Sequence, residues 1–500
     1  MPEADRHCLG DLGLGQRQRL KGWPDLWLAA DKPRHRARTA AMAPASPPPP
    51  PVAPDQTLAL SDALLLRILA CLPESHLTGA ASLVCRRWMR LAGRLRRRLA
   101  VRDWAFVTHR LPYRFPDLAD LDLFPASIAA PTAPPHASSP LLTCGEVSLT
   151  LDPGADPPLG ACRFLDDELL DRGLRAVATS FPNLRRLSAT AAAESGGLMA
   201  IAGGCPTLQE LELHRCTDLA LRPVSAFAHL QILCIVAAAS PALYGTGQDG
   251  GVTDIGLTIL AHGCKRLVKL ELMGCEGSYD GVAAVGRCCA MLEELTIADH
   301  RMDGGWLAAL AFCGNLKTLR LHGCSRIDDD PGPAEHLGAC LTLESLQLQQ
   351  CQLRDRCALQ ALFLVCEGAR ELQIKNCWGL EDDMFALAGL CRRVKFLTLE
   401  GCSLLTTRGL ESVITSWSDL QSLEVVSCNK IKDEEISPTL SELFSNLKEL
   451  KWRPDNKSFL ASSLVGTGMG KKGRVFFKRI LPSHQQIKGK VLNYSTNAAA

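Results

Sequence analysis

A nine-residue phrase, LVKLELMGC from Leu267 to Cys275, returns with small changes nearly to the end of the chain. Later copies close at Cys324, Cys351, Cys377, Cys402 and Cys428, at spacings of 27, 26, 25 and 26 residues. A period of that length marks a stack of like supersecondary units, none of which can bury its apolar face without neighbours. Twelve phrases are visible, beginning at Leu118, Leu184, Leu208, Leu230, Leu267, Leu292, Leu316, Leu343, Ala369, Val394, Leu420 and Leu447. Such an array gives 500 residues a core without the size limit of one globule, and it presents a long surface for another macromolecule.

Within each phrase the alternation of Leu270 with Leu272 predicts a short strand with one buried face. Segments such as Gly256–Cys264 predict a helix between strands, with Asp254, Asp280, Asp303 and Asp382 placed to cap such helices. Cysteines recur at two positions. One set ends strands (Cys216, Cys275, Cys324, Cys351, Cys377, Cys402, Cys428) and the other closes helices (Cys205, Cys264, Cys289, Cys313, Cys340, Cys366, Cys391). These account for fourteen of the 22 cysteines as small packing residues. The charged N-terminus lacks the apolar stretch of a secretory signal, so the thiols are expected to be reduced, in cytoplasm or nucleus. No apolar run approaches the ~18 residues of a membrane span. A net charge of +2 demands neither nucleic acid nor an anionic membrane as partner.

Residues 1–57 mix Arg, Ala and Pro and are expected to be disordered, with Met42 resembling a natural start. Residues 58–103 form a separate helical module, with Leu64, Leu65, Ile68, Leu69 and Leu72 at helical spacing and Pro73 closing the helix. The array occupies 104–455, with loops near 125–160 and 240–251, and a basic, flexible tail fills 456–500.

The phrase resembles the cysteine-containing subfamily of leucine-rich repeats, and the helical module resembles an F-box. Leu60, Leu65, Ile68, Leu69, Pro73, Leu83, Val84, Cys85 and Trp88 fit the apolar positions of that motif, while Ser61 replaces its usual proline and Ala63 its usual acid. The combination, over roughly 58–455, is similar to plant F-box/leucine-rich-repeat proteins. It implies an α/β leucine-rich-repeat solenoid, a curved parallel sheet with outer helices, preceded by a small all-helical F-box. In that family the nine F-box residues dock a Skp-type adaptor, which bridges to cullin and RING subunits. The strand-end cysteine stands where such repeats place a small residue that caps neighbouring backbone.

The implied function is substrate recognition for a Skp–cullin–F-box ubiquitin ligase, the repeats holding a protein target. Polar residues between the buried leucines are the candidate target surface: Glu212, His214, Lys269, Glu271, Arg320, His322, Gln347, Gln373 and Lys375. Two other readings stay open, a ligase-independent binding scaffold and a receptor with a small hormone-type ligand in the repeat cavity. No catalytic residue, cofactor or metal site is expected. The H-x-C triplets lack the second ligand pair zinc needs, GTGMGKKG at 466–473 fits neither phosphate-loop pattern, and Arg94-Leu95-Arg96-Arg97-Arg98 reads as a solvated helix face.

Overall fold

The computed structural model describes residues 56–73, 80–129, 142–143, 163–191, 196–238, 250–333, 335 and 337–455. The expectations for residues 1–55, for most of the two long loops and for the tail beyond 455 lie outside the described residues, as does Met42.

Among the described residues thirteen parallel strands make one continuous sheet. They are β1 (Arg98–Val101), β2 (Asp120–Asp122), β3 (Arg186–Thr190), β4 (Glu210–Cys216), β5 (Ile232–Ala237), β6 (Lys269–Met273), β7 (Glu294–Ala298), β8 (Thr318–His322), β9 (Ser345–Gln349), β10 (Glu371–Lys375), β11 (Phe396–Glu400), β12 (Ser422–Val426) and β13 (Glu449–Arg453). A short antiparallel strand, Leu142–Thr143, pairs with β1 at the outer edge. All twelve phrases are strands, β2 to β13. The additional strand β1 comes from Arg98-Leu99-Ala100-Val101, inside the stretch expected to be helical module, so the sheet starts before residue 104.

One leucine from each strand stands in register with the next. Leu99, Leu121, Leu187, Leu211, Leu233, Leu270, Leu295, Leu319, Leu346, Leu372, Leu397, Leu423 and Leu450 form an unbroken ladder, none more than 5% exposed. Each such burial is worth about 1.5–3 kcal/mol. In β13 the buried Trp452 lies tilted against Phe444 (4.9 Å), with its indole nitrogen donating to Asp433 Oδ1 at 2.7 Å. This is the leucine-rich-repeat solenoid.

The chain must turn sharply where each strand ends, and a residue with positive φ precedes the strand-end cysteine. Glycine supplies it at Gly274, Gly323 and Gly401, whereas Arg215, Gln350, Asn376 and Ser427 adopt φ of 50–57° without that freedom. In the β7 repeat the same place is taken by Asp299 (φ 46°), and the cysteine position after it is filled by His300. All fourteen cysteines of the two sets are free and buried. They do more than fill space, because their thiols donate weak hydrogen bonds to carbonyls of the preceding repeat, as from Cys264 to Val224 O (3.3 Å) and from Cys351 to Leu321 O (3.4 Å).

The aspartates work one repeat away from where the sequence places them. Asp254 lies in the first turn of its helix, whose cap is Thr253. Its carboxylate accepts instead from Ser278 N (2.7 Å), Ser278 Oγ (2.7 Å) and Gly281 N (2.9 Å) at the start of the next helix. Asp218 does the same for Thr253 and Gly256, and Asp382 for Thr406. Asp280 and Asp303 stay at the exposed surface.

The N-terminal module contains α1 (Asp62–Ala70), α2 (Ala80–Val84) and α3 (Arg86–Leu95). Its small core is Leu65, Leu69, Ala81 and Leu91, with Leu60, Leu66, Trp88 and Leu95 packed around it, and this cluster is separate from that of the solenoid. Ser61, the departure from the expected proline, caps α1 by accepting from Leu64 N (3.4 Å). The neighbouring acid Asp62 pairs with Arg87 Nε at 2.7 Å.

Candidate functional surfaces

On the helical module the nine residues predicted to dock a partner divide by direction. Leu65 and Leu69 are 1% and 0% exposed, sealed in the module's own core, so they are corrected from docking residues to core residues. The reason is helical phase. Each lies one residue past Leu64 and Ile68, about 100° round the helix, and α2 and α3 cover that side. The outward side carries Leu64 (47%) and Ile68 (48%), followed by Leu72 (37%), while α2 adds Leu83 (50%) and Val84 (57%). Leu58, on the short helical turn before α1, is 71% exposed.

Of the remaining positions, Pro73 is exposed and Leu60 is half-buried against the core. Cys85 is a cap, its sulfur accepting from Trp88 N at 3.5 Å to start α3. Trp88 is half-buried against the small core, which makes it a structural residue as much as a surface one. Sequence reasoning missed Leu58, Leu64 and Leu72 as surface candidates, because spacing alone does not tell the inward from the outward face of a two-sided apolar helix.

The concave face of the sheet also divides in two. Over β2 to β6 it is covered by the chain's own residues. Helix α4 (Phe124–Ser127) lies across it, and Ile128–Ala129 pairs antiparallel with Arg163–Phe164. Phe124 stacks on His214 with ring centres 3.7 Å apart, and Phe164 sits under the Arg215 guanidinium at 4.7 Å. Ser127 and Thr190 share a hydrogen bond of 2.5 Å, and Val236 is buried with Phe164, Cys234 and Met273 around it. His214 is therefore buried, at 6% exposure, and is removed from the candidate target contacts. Its Nε2 faces Glu212 Oε1 at 3.1 Å, and that hydrogen bond holds the Glu212 carboxyl below its ordinary range. Burial pushes the neighbouring Asp122 carboxyl up.

Over the start of β6 and the strands after it no such cover is seen among the described residues, and the predicted side chains share one face, though most are tied to one another. Lys269 pairs with Glu271 at 2.6 Å, Arg320 with Glu294 Oε2 and Gln347 Oε1 at 2.9 Å each, and Lys375 with Glu400 at 3.8 Å. Gln373 donates to Glu371 at 2.7 Å. Half-buried His322 lies opposite the exposed Gln349 in register. Phe396, 45% exposed at the start of β11, and Trp378, 54% exposed in the turn after β10, are apolar contact candidates absent from the sequence list. Phe396 was missed because the candidates were drawn from polar residues between the buried leucines, and its out-of-phase position beside Leu397 and Leu399 is occupied by an aromatic. Among the described residues no group of three or more His, Cys, Asp or Glu side chains is arranged to hold a metal, and no helix is long and apolar enough to cross a membrane.

No family model matches the chain. It is 27% identical over 403 residues to a Transport inhibitor response 1-like protein of Oryza sativa subsp. japonica, which covers 75% of this chain and 64% of the relative. It is 29% identical over 218 residues to the human F-box/LRR-repeat protein 12, covering 39% of this chain and 65% of that protein. The chain thus spans just under two thirds of the length of these curated relatives. Among solved structures, an internalin from Listeria monocytogenes aligns over 59% of this chain and 91% of its own at 16% identity, with a TM-score of 0.32. The plant peptide hormone receptor RGFR1 in complex with RGF2 aligns over 56% and 45% at 16% identity, with a TM-score of 0.29. In its sequence motifs and in these relatives the chain is similar to F-box/leucine-rich-repeat proteins.

Proposed function

We propose that the chain is the substrate-recognition subunit of a Skp–cullin–F-box ubiquitin ligase, without chemistry of its own. The observation that carries this is the helical module's exposed apolar set. A module with a closed core leaves Leu58, Leu64, Ile68, Leu72, Leu83 and Val84 in solvent. Apolar anchors at i and i+4 on a helix, joined by others from the next helix, are the form in which helices dock into a partner's groove. The names of the relatives support a Skp-type adaptor as that partner, with cullin and RING subunits reached through it.

The open concave face from β6 to β13 is the proposed target surface, with Arg320, His322, Gln347, Gln349, Lys375 and Phe396 at its centre. Holding target and loaded ubiquitin on one body raises their effective concentration, and the rate gain is proximity. The buried, unpaired thiols are consistent with residence in cytoplasm or nucleus.

Co-expression with a Skp-type adaptor and cullin tests the reading. A stable complex is expected, lost in Ile68→Asp and in Leu83→Asp while far-UV circular dichroism and the melting temperature are unchanged. Failure of the unmodified chain to co-purify, or capture by both variants, would reject adaptor docking and favour a ligase-independent scaffold.

A further inference from the structure

Among the described residues the core of the helical module and the main core of the solenoid do not merge. A joint between separate cores is free to bend unless polar contacts lock it. Here they do, and the arginine-rich run expected to lie on a solvated helix face is part of the lock. Helix α3 ends at Leu95, and the residues after it run directly into β1. Arg94 Nε of α3 faces Asp117 Oδ2 at 3.4 Å and Arg97 Nη1, in the connection to β1, donates to Asp117 O at 2.8 Å, while Arg98 Nε reaches Asp120 Oδ2 at 2.7 Å within the sheet, between β1 and β2. Arg96 is buried at 8% exposure. Asp117 and Asp120 both belong to the first repeat.

The central contact runs the other way. Arg114, at the end of the short helix Leu111–Arg114 of the solenoid, reaches back into the helical module. One guanidinium nitrogen donates to Met89 O in α3 and the other to Ser82 Oγ in α2 at 3.3 Å, so a single side chain holds both helices. The planar fork of arginine suits two acceptors in fixed directions. Backbone packs on backbone beside it, since a Cβ at Gly93 would collide with Arg114 O. Burial and the nearby Arg96 lower the Arg114 pKa to about 10, which still leaves it charged at neutral pH.

We propose that Arg114 is a positioning residue. It fixes the direction of the adaptor-docking module against the solenoid, and so the geometry in which a bound target meets the ubiquitin-loaded end of the ligase. Its mechanical part stands on the two cores and the clamp. Its consequence for ubiquitin transfer rests on the function proposed above.

The test uses the full chain with spin labels on the exposed native thiols of Cys71, beyond α1, and Cys357, in the solenoid. Cys8, Cys85, Cys144, Cys162, Cys234 and Cys288 are changed to Ser in that background. Electron–electron double resonance should give a narrow distance distribution for the parent. Arg114→Ala should widen it at least twofold, Gly93→Ala should widen it by an independent route, and Arg114→Lys, keeping one donor direction at a time, should fall between. Adaptor capture, measured on the same proteins, should stay within twofold, showing that the docking module is still folded. In a reconstituted ligase, mass spectrometry of self-ubiquitination should show modified lysines spreading to new positions in Arg114→Ala, which simple loss of stability would not produce.

Unchanged distance distributions in Arg114→Ala and Gly93→Ala would overturn the proposal. If Arg114→Ala loses its module fold, Arg114→Lys decides, and a parent-like width there overturns it equally. If the parent itself fails to capture adaptor, the ligase reading falls while the distance measurement still judges the clamp.

Discussion

In the solenoid an apolar residue at a repeat position is a core residue almost without exception, whereas in the helical module the same residue type serves two opposite ends. The ladder from Leu99 to Leu450 is buried throughout. In α1, five large apolar residues within six positions divide by direction, Leu65 and Leu69 inward, Leu64 and Ile68 outward, and Leu66 half-buried at the core's edge. The difference is one of supply. Each repeat is walled by a neighbour on both sides, so its apolar stripe is always matched. Among its described residues the module has only α2 and α3 to cover α1, and what they leave uncovered is the part available to a partner.

The strongest way to break this comparison is to truncate one leucine of each kind. Leu372→Ala, in the middle of the ladder, should destabilise the solenoid by about 2–5 kcal/mol and divide its melting into two transitions, since repeats on either side are coupled only through it and its neighbours. Leu69→Ala carries a similar local penalty, yet it should melt the helical module alone and leave the main thermal transition in place. Its loss of adaptor capture would then report unfolding, unlike that of Ile68→Asp. A single cooperative transition shifted equally by both substitutions, followed by calorimetry, would show that the two cores act as one.

A smaller effect separates the polar couplings between repeats from the apolar ones. Asp254→Ala removes the acceptor for Ser278 N, Ser278 Oγ and Gly281 N and leaves them partly buried. A loss of about 2–3 kcal/mol is expected, with faster amide exchange confined to the helix Tyr279–Cys288. Exchange accelerating along the whole array instead would mean that the aspartate supports the sheet and not the next helix.

How much of this was legible depends on whether the signal was periodic. The strands β2 to β13 and both cysteine sets follow from recurrence alone, because a stack imposes the same environment on every copy. Strand β1 was not legible, since Arg96 stands where each phrase opens on an apolar residue and Arg97 and Arg98 follow it into the strand. The cover over β2 to β6 joins Phe124 and Phe164 to His214, three residues whose spacing in sequence carries no period. Likewise the inward and outward faces of α1 differ by one helical step, which composition cannot resolve and packing can. The site was legible as a surface, and not as a set of side chains.

His300 offers a test at the one strand-end position from β6 to β12 where the cysteine is replaced. It is buried, its ring edge-on to Trp306 at 5.5 Å, and burial lowers its pKa below the ordinary value. Because the folded protein resists protonating it, the unfolded chain takes up the proton first as pH falls below ~6.5, and stability is lost from there down through the folded value. Lowering the pH from about 7.5 to about 5.5 should therefore depress the melting temperature by an increment that His300→Cys abolishes. An identical pH slope in both proteins would place the proton uptake elsewhere.

The smallest expected change sharpens the contrast in the direction of gain. The turn before each strand-end cysteine requires positive φ, met by glycine at Gly323 but by a side-chain-bearing residue at Gln350 (φ 53°) one repeat later. Left-handed backbone costs a non-glycine residue about 1–2 kcal/mol, against about 0.5–1 kcal/mol for the extra unfolded-state freedom of glycine. Gln350→Gly should thus stabilise the solenoid by up to about 1 kcal/mol, while Gly323→Ala should destabilise it, both read from urea midpoints at constant slope. The helical module, which contains no such turn among its described residues, should respond to neither, and adaptor capture should be the same in both. If Gln350→Gly destabilises instead, the Gln350 side chain makes a contact in the turn that outweighs its backbone strain, and the repeats are less interchangeable than their register implies.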